Sequence, residues 1–411
     1  MRRLVVVLAC CLGLGALAAP VVVERVSTVA PFPRGLVMVN GVLYTLCRGR
    51  VRDAGGVSAD VDDQAGTIYA INPNVTEPFA TEPVGEAVRT NGTVFARPSS
   101  PPFKLWDASA TPPWRDRITD RPYCTLCWHP ESQNLFICAF SGIDKPGRPG
   151  DVAFSKNLTD ALLRYDLRDR AWHEVERHDM EAGGNYPQHD PRFSPPPHGW
   201  LNGPDNCQCI GRWLYGVGKD NNVLVRYDLS AIMRDPAAGP PPSVKVLGER
   251  IAIKGQGTQT FYGHSMIAYH DGWFYLGFRT TSNIIRFKLD KEYAPVQPIE
   301  AELVAQFDPF DAQTLKSSNL TDMSFDAAGR LYVVSAKPAK VYRFTPDPKH
   351  PFDGREGKAK AWLDLAGLTH NPQMKCENVM CAGGYCYVSS GDEYPFQHKA
   401  AGAIYRVKIS D

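Results

Sequence analysis

The feature that most constrains the fold is a pair of short alternating segments that recurs six times along the chain. The first segments share an aromatic residue at one place: GVLYTL, NLFICA, RWLYGV, GWFYLG, GRLYVV and GYCYVS. The second segments are GTIYAI, LLRYDL, LVRYDL, IIRFKL, VYRFTP and IYRVKI. Five of them carry an arginine, at intervals of 57 to 63 residues: Arg164, Arg226, Arg286, Arg343 and Arg406. This period of short strands is typical of four-stranded antiparallel blades and unlike the turn of a helical solenoid.

Further apolar alternations complete the repeat. The segments that precede each pair are GLVMVN, TLCWHP, CQCIG, MIAYHDG, MSFDAAG and VMCAGG, and fourth segments follow at Ser243–Leu247, Glu302–Phe307 and Ala359–Leu363. We therefore predict an all-β chain, a six-bladed β-propeller of four-stranded antiparallel blades. Val21–Val29 would add the outer strand of the last blade and close the ring, which removes exposed sheet edges. Seven blades are the alternative, because residues 84–121 contain NGTVFARP and PFKLWD and are long enough for another blade.

The N-terminus has the pattern of a secretory signal. Two arginines, an apolar run and the small-residue sequence Ala16-Leu17-Ala18 follow one another, so residues 1–18 are predicted to be removed. Residues 19–411 would form a single propeller domain in a secreted or periplasmic protein. No later segment is long and apolar enough for a membrane span. The formal net charge of +1 gives no overall attraction to nucleic acid.

The spacing of the 11 cysteines matches neither a haem attachment motif nor a zinc site. Cys124 and Cys127 form a CxxC motif, but Trp128 stands where haem attachment needs a histidine, and the other spacings do not form a second knuckle. Small buried residues or disulfides are the expected roles of the nine that follow the signal. The chain also lacks a Walker loop, a dinucleotide fingerprint, a GxSxG elbow and HExxH, so no nucleotide cofactor is expected.

Long loops are predicted to collect at one end of the ring. In a propeller, the loop that leads into each inner strand (the leading loop) and the hairpin between the second and third strands open on the same end. Insertions at about 84–121 and 181–202 lie in leading loops. Cations recur in these two loop sets: Arg34, Arg48, Lys219, Arg279 and Lys337. They predict charge-assisted binding of an anionic small molecule or glycan, the alternative being ordinary solvated turns.

Candidate catalytic residues lie in the same loops. His264, in FYGHSM, is the best placed for general acid or base work, together with Asp322 and Arg279; His189 and His198 are alternatives. The Pro-rich loop that contains these two histidines also carries Tyr186 and Trp200, which could form an aromatic platform for a sugar. A structural, hydrogen-bonding role is the competing interpretation for each histidine.

Oxygen-bearing pairs stand where three inner strands begin: Asp205-Asn206, Thr321-Asp322 and Glu377-Asn378. Carboxylate and amide oxygens are ligands of Ca²⁺, so a calcium site is one interpretation, and capping of strands is the other. The blade pattern and these residues resemble the calcium-dependent six-bladed propellers of the gluconolactonase, SMP-30 and strictosidine synthase group. That resemblance implies Asn206, Asp322 and Asn378 or Glu377 as metal ligands. Arg34 stands in blade one where the group would bring a Glu.

Two classes of function follow. The first is an exported enzyme, a lactone or ester hydrolase or a glycan lyase or hydrolase, that acts on an anionic ligand at the loop-rich end. The second is a non-catalytic propeller that uses the same end to bind a glycan or protein. Fold cannot choose between them, because propellers host both.

Overall fold

The computed structural model describes residues 21–30, 33–47, 66–77, 91–96, 123–139, 159–179, 201, 203–219, 221–309, 320–336, 338–368, 374–392 and 402–409. Its strands are β1 (Val23–Ser27), β2 (Pro33–Val39), β3 (Val42–Cys47), β4 (Ile68–Ile71), β5 (Thr93–Ala96), β6 (Tyr123–His129), β7 (Asn134–Ala139), β8 (Thr159–Asp166), β9 (Ala171–Asp179), β10 (Pro204–Ile210), β11 (Trp213–Gly218), β12 (Val223–Asp228), β13 (Ser243–Leu247), β14 (Arg250–Ile253), β15 (Gly257–Thr260), β16 (His264–His270), β17 (Trp273–Phe278), β18 (Asn283–Lys288), β19 (Glu302–Gln306), β20 (Leu320–Phe325), β21 (Leu331–Ser335), β22 (Lys340–Phe344), β23 (Phe352–Asp353), β24 (Leu363–Asp364), β25 (Met374–Ala382), β26 (Tyr385–Asp392) and β27 (Ala403–Lys408). The helices are α1 (Ser230–Arg234) and α2 (Leu365–Leu368).

Six antiparallel sheets form the blades of a β-propeller, which confirms the predicted fold. From the inside outwards, blade one is β2 to β5, blade two β6 to β9, blade three β10 to β13, blade four β16 to β19, blade five β20, β21, β22 and β24, and blade six β25, β26, β27 and β1. The short β23 extends blade four in parallel, and β14 and β15 form a separate hairpin. Within the described ranges there is no seventh four-stranded sheet.

The ring closes through the N-terminal strand, as predicted. β1 pairs with β27, with Val23 opposite Val407, so the first described strand completes the last blade. Arg406 of β27 strengthens this contact by donating from Nε to Glu24 Oε2 at 2.6 Å. Closure therefore joins the two ends of the described chain within one sheet.

Tight two-residue turns connect the first and second strands of several blades. Asn40-Gly41, Asp271-Gly272 and Gly383-Gly384 connect first and second strands, and all six residues have positive φ. Two-residue turns of this kind match the twist of antiparallel strands. These short connections place tight turns at one end of the propeller, and the second and third strands of each blade are joined at the other end.

The repeated arginines pair with aromatic residues of the neighbouring strand and so support the blades. On β11 and β12, for example, Tyr215 lies opposite Arg226, whose guanidinium stacks on Trp213 at 4.1 Å. The same pairing of an aromatic residue with arginine occurs in blades two, four, five and six. Arg164 is fully buried and donates to the carbonyls of Pro236 and Ala238, which ties blade two to blade three.

Two outer strands differ in position from the sequence interpretation. Thr93–Ala96, within the 84–121 range assigned to a leading loop, forms the outer strand of blade one. Blade five ends with Leu363–Asp364, at the C-terminal end of the predicted Ala359–Leu363 segment. Outer strands face solvent on more of their surface, so their apolar alternation is weaker and their bounds are harder to read.

The two helices in the described part of the chain have five and four residues, and neither has the length or apolarity to cross a membrane.

Candidate functional site

Leading loops and hairpins meet at one end of the ring. The Lys219 N–H, in a hairpin, donates to the Gly203 carbonyl of a leading loop at 3.0 Å, and the Arg279 N–H donates to the Gly263 carbonyl at 2.7 Å. In blades three and four, therefore, the backbone holds two predicted cationic residues beside the start of an inner strand. We call this end of the propeller the loop-rich end.

All six inner strands carry a β-bulge at the same level, just below the loop-rich end. The bulged residues are Gly35, Cys124, Asp205, Ser265, Thr321 and Glu377. A bulge locally increases strand twist and re-aims neighbouring side chains. The residues that follow the bulges are Leu36, Thr125, Asn206, Met266, Asp322 and Asn378. Four of these are polar, and we call Thr125, Asn206, Asp322 and Asn378 the axial belt.

Asp322 is the centre of the axial belt. Its Oδ1 accepts hydrogen bonds from Asn206 Nδ2 at 3.1 Å and from the Met323 N–H at 2.9 Å. Its Oδ2 accepts from Asn378 Nδ2 at 3.2 Å and from the Val379 N–H at 3.0 Å. One carboxylate thus joins the inner strands of blades three, five and six.

The amide oxygens of Asn206 and Asn378 extend the belt to blades two and one. Thr125 Oγ1 of blade two donates to Asn206 Oδ1 at 3.4 Å, and the Gly35 N–H of blade one donates to Asn378 Oδ1 at 2.9 Å. Gly35 has φ +60°, and a Cβ placed there would lie 2.3 Å from the Leu126 backbone nitrogen. Only glycine lets the backbone of blade one approach its neighbour this closely.

The carboxyl group of Asp322 has a pKa above the usual range of an aspartate. Burial raises the pKa of Asp322 to about 6, against the lowering effect of its four hydrogen bonds. A buried carboxyl group with such a pKa can exchange a proton under mildly acidic conditions, which is a property of many catalytic acids and bases.

The residues predicted to hold calcium are brought together only in part. Asn206, Asp322 and Asn378 are in contact, but both amide groups turn N–H donors toward the carboxylate. Glu377 instead forms an ion pair with Arg34, whose Nη1 lies 2.7 Å from Glu377 Oε2. Calcium needs six to eight oxygens, and among the described residues no group of three His, Cys, Asp or Glu side chains could hold a metal ion. This donor set, in this arrangement, does not fit Ca²⁺.

Arg34 is a buried cation beside the belt. Its residue is 9% exposed, and Glu377, which holds its Nη1, also lies 3.1 Å from Lys375 Nζ. Within the described part of the chain, the Nε of Arg34 is buried and has no hydrogen-bond partner. The same holds for Ser265 Oγ and Gln208 Oε1, on the inner strands of blades four and three.

His264 lies in an apolar setting. The side chain is fully buried, and its ring packs edge-on to Phe278 at 4.9 Å between centroids. Neither ring nitrogen has a hydrogen-bond partner among the described residues. Burial, with a smaller effect of Lys245, lowers the pKa of His264 to about 3. The imidazole is therefore neutral at physiological pH, and no hydrogen bond joins it to Asp322 or Arg279.

Four predicted ligand-binding residues lie outside the described part of the chain: Arg48, Lys337, Trp200 and Tyr186. Sequence reasoning overlooked Thr125 and Ser265. Aligning TLCWHP with the other inner segments would have placed Thr125 level with Asn206 and Asp322. The bulge that places Ser265 at this level left no signal in the sequence, because it depends on pairing between strands.

Comparison with known proteins adds nothing to the fold that the strand pairing itself shows. No protein-family model matches the sequence, and no curated protein matches it. Similar solved structures include a luciferin-regenerating enzyme (9% identity, 95% of each chain covered, TM-score 0.47). Another is a PQQ-bound aldose sugar dehydrogenase from Streptomyces coelicolor (13% identity, 95% of this chain and 99% of that chain covered, TM-score 0.47). So is regucalcin, named as a calcium-binding protein, from Agrobacterium tumefaciens (11% identity, 94% and 95% covered, TM-score 0.43). Similarity at this level supports no inference about activity, ligand or metal.

Proposed function

We propose that this propeller binds an anionic small molecule or an acidic glycan at its loop-rich end, with Arg34 as the principal contact. The observation that carries the proposal is the state of the Arg34 guanidinium. It is nine-tenths buried, Glu377 fixes one of its nitrogens, and its Nε has no hydrogen-bond partner among the residues that the structure describes. A buried N–H without an acceptor is unfavourable, and a carboxylate, sulfate or phosphate oxygen would satisfy it with a charge-assisted hydrogen bond.

The position of Arg34 supports the proposal. It precedes Gly35, whose N–H joins the axial belt, so the guanidinium lies beside the belt at the start of β2. Lys219 and Arg279 stand at the same end of blades three and four, where they would attract the ligand. The proposed binding surface also includes four residues that the sequence assigns to the surrounding loops: Arg48, Lys337, Tyr186 and Trp200. Calcium is not part of the proposal, because the donor set does not fit it.

A second candidate function, hydrolysis or elimination on the same ligand, is favoured by one observation. Asp322 lies in the belt with a pKa raised by burial to about 6, within the range of a general acid or base. His264 is less suited to proton transfer, since its neutral ring is fully buried among apolar groups. We assign any acid or base role to Asp322 and retain Arg279 as a charge-stabilising candidate.

The binding experiment uses the protein that begins after residue 18, in accordance with the proposed export. Isothermal titration calorimetry would compare oligomers of uronic acids, sulfated glycans and neutral glycans of matched length. We expect binding of an acidic ligand only, and a weakening of about 10- to 100-fold in Arg34→Ala, because a hydrogen bond to a charged group contributes about 1.5 to 3 kcal/mol. Arg250→Gln, which removes an exposed cation from the β14 strand, is the matched control and should bind normally.

The outcomes separate the two functions. Unchanged affinity in Arg34→Ala, or equal binding of neutral and acidic glycans, would disprove the proposed site. Mass spectrometry of the ligand after long incubation reports turnover. Product formation that disappears in Asp322→Asn while binding persists would support the enzyme, and an unaltered ligand would support a binding protein.

A further inference from the structure

Three cysteine thiols converge at the seam between blades two and three. Cys127 lies on β6, and its Sγ is 3.4 Å from Cys207 Sγ and 3.7 Å from Cys209 Sγ, both on β10. These strands belong to different sheets, so strand pairing within a sheet does not by itself bring the thiols together. Both partners of Cys127 come from the same short segment, CQC.

Exposure differs among the three thiols. Cys127 and Cys209 are partly exposed, whereas Cys207 is only 3% exposed. We therefore expect a small reagent to react first at Cys127 or Cys209, and Cys207 to react afterwards within the protein. Cys376, on the inner strand of blade six, is fully buried by comparison.

The electrostatic setting supports ionisation of Cys127 in preference to its neighbours. Burial opposes its ionisation, but hydrogen bonds with the Cys207 and Cys209 thiols, with help from His129, outweigh burial and lower the pKa of Cys127 to about 5. Burial and the contact with Cys127 raise the pKa of Cys207 and of Cys209, and a contact with Cys138 raises that of Cys207 further. A thiolate flanked by two protonated thiols is the arrangement from which thiol–disulfide exchange starts.

We propose that Cys127 is a reactive thiol that forms an interblade disulfide with Cys207 or Cys209 by exchange with a small-molecule disulfide. In the first step, Cys127 Sγ attacks one sulfur of the reagent, forms a mixed disulfide and releases the other sulfur as a thiolate. In the second step, Cys207 or Cys209 Sγ attacks Cys127 Sγ and displaces the remaining thiolate. The two protein thiols lose two electrons and two protons, and the reagent becomes two thiols.

The remaining thiol of the trio makes the site exchangeable. After Cys127 has bonded to Cys207, Cys209 is still close to Cys127 Sγ and can replace Cys207 by the same reaction. The disulfide ties β6 to β10 across a long stretch of chain, so we expect it to raise the melting temperature by roughly 5 °C. This site is independent of the proposed ligand-binding function.

The test uses the whole mature protein, reduced and then treated with oxidised glutathione at pH 7. Peptide mapping by mass spectrometry without reduction should recover Cys127 linked to Cys207 or Cys209. In Cys207→Ser the link should move to Cys209, and in Cys127→Ser neither link should form. Cys376→Ser, which changes a buried cysteine of blade six, is the control and should keep the Cys127 link.

A measurement on the unaltered protein covers the case in which a variant fails to fold. Brief treatment with iodoacetamide, followed by mass spectrometry, should label Cys127 at least about tenfold faster than Cys207. Equal labelling of the two cysteines would overturn the proposal. So would a disulfide between Cys127 and Cys124, or an oxidised protein in which Cys127 remains a free thiol.

Discussion

Asn206 and Asp322 lie on the inner strands of blades three and five, which are not neighbours, and yet Asn206 Nδ2 is 3.1 Å from Asp322 Oδ1. The hydrogen bond therefore passes the inner strand of blade four, where the equivalent residue is the apolar Met266. Together with the bond from Asn378, it gives the ring a direct connection among three blades in addition to contacts between neighbouring sheets. The axial belt thus has a structural role whether or not the protein is an enzyme.

Replacing the carboxylate should weaken this connection. In Asp322→Asn, one oxygen becomes an NH2 group that faces N–H donors, so at least one buried donor loses its acceptor. We expect the free energy of unfolding, measured by urea denaturation, to fall by about 2 to 4 kcal/mol at pH 4, where Asp322 is protonated. The loss should be smaller at pH 7, because the parent protein then also bears the cost of a buried charge. Asp271→Asn, in an exposed turn with φ +48° that asparagine also tolerates, should unfold at the parental concentration. Equal stability of the two variants would mean that the belt contributes little.

Asp322 and His264 should have opposite effects on stability as the pH changes. Because the folded pKa of Asp322 is raised to about 6, its contribution is most favourable below the unfolded pKa near 4 and is lost as the pH rises through 6. Because the folded pKa of His264 is lowered to about 3, its contribution is most favourable above 6.5 and is lost as the pH falls toward 3.

The variant His264→Leu separates the two effects. Leu320 is fully buried at the equivalent position of blade five, so leucine suits this environment. We expect the variant to gain about 2 to 3 kcal/mol over the parent between pH 6.5 and 4.5, because it no longer has to keep a histidine unprotonated. Urea unfolding at several pH values measures this gain. A stability difference that stays constant across this pH range would contradict the buried, neutral histidine.

Gly35 and Gly41 offer a matched test of close packing against backbone strain. Both have positive φ, but a Cβ at Gly35 would clash with Leu126, whereas a Cβ at Gly41 would meet nothing within 4 Å. Gly41→Ala should therefore lose only about 1 kcal/mol from the left-handed conformation. Gly35→Ala should lose about 3 kcal/mol or more, since the inner strands must also move apart. Similar losses in thermal or urea unfolding would show that the strands adjust freely.

Calcium should have no effect on the stability of the mature protein. The amide groups of Asn206 and Asn378 direct hydrogen-bond donors at Asp322, and Glu377 is held by Arg34. We expect melting temperatures in 1 mM CaCl2 and in 1 mM EDTA to agree within about 1 °C, because an ion stabilises only when it binds the folded state. A clear rise with calcium would mean that the belt rearranges to present oxygens.

The sequence by itself predicted a closed ring of four-stranded blades and favoured six blades over seven. Alternating apolar residues and turn pairs such as Asn40-Gly41 act locally, so a strand or a hairpin can be read from a few neighbouring residues. The pairing of Val21–Val29 with the last blade followed from the same pattern and the count of strands. Polar residues at the starts of inner strands could also be recognised, and Asn206, Asp322 and Asn378 do meet.

Only the tertiary structure decided what those polar residues do. The direction of the Asn206 amide, the pairing of Arg34 with Glu377, the burial of His264 and the contact of Cys127 with two thiols all depend on bulges and on distances between separate sheets. A bulge rotates the side chains beside it without changing the apolar pattern that predicts the strand. Contacts between residues far apart in the chain become fixed only when the blades pack. The hydrogen bonds of the axial belt, the ion pair of Arg34 with Glu377 and the contacts of Cys127 are all of this kind.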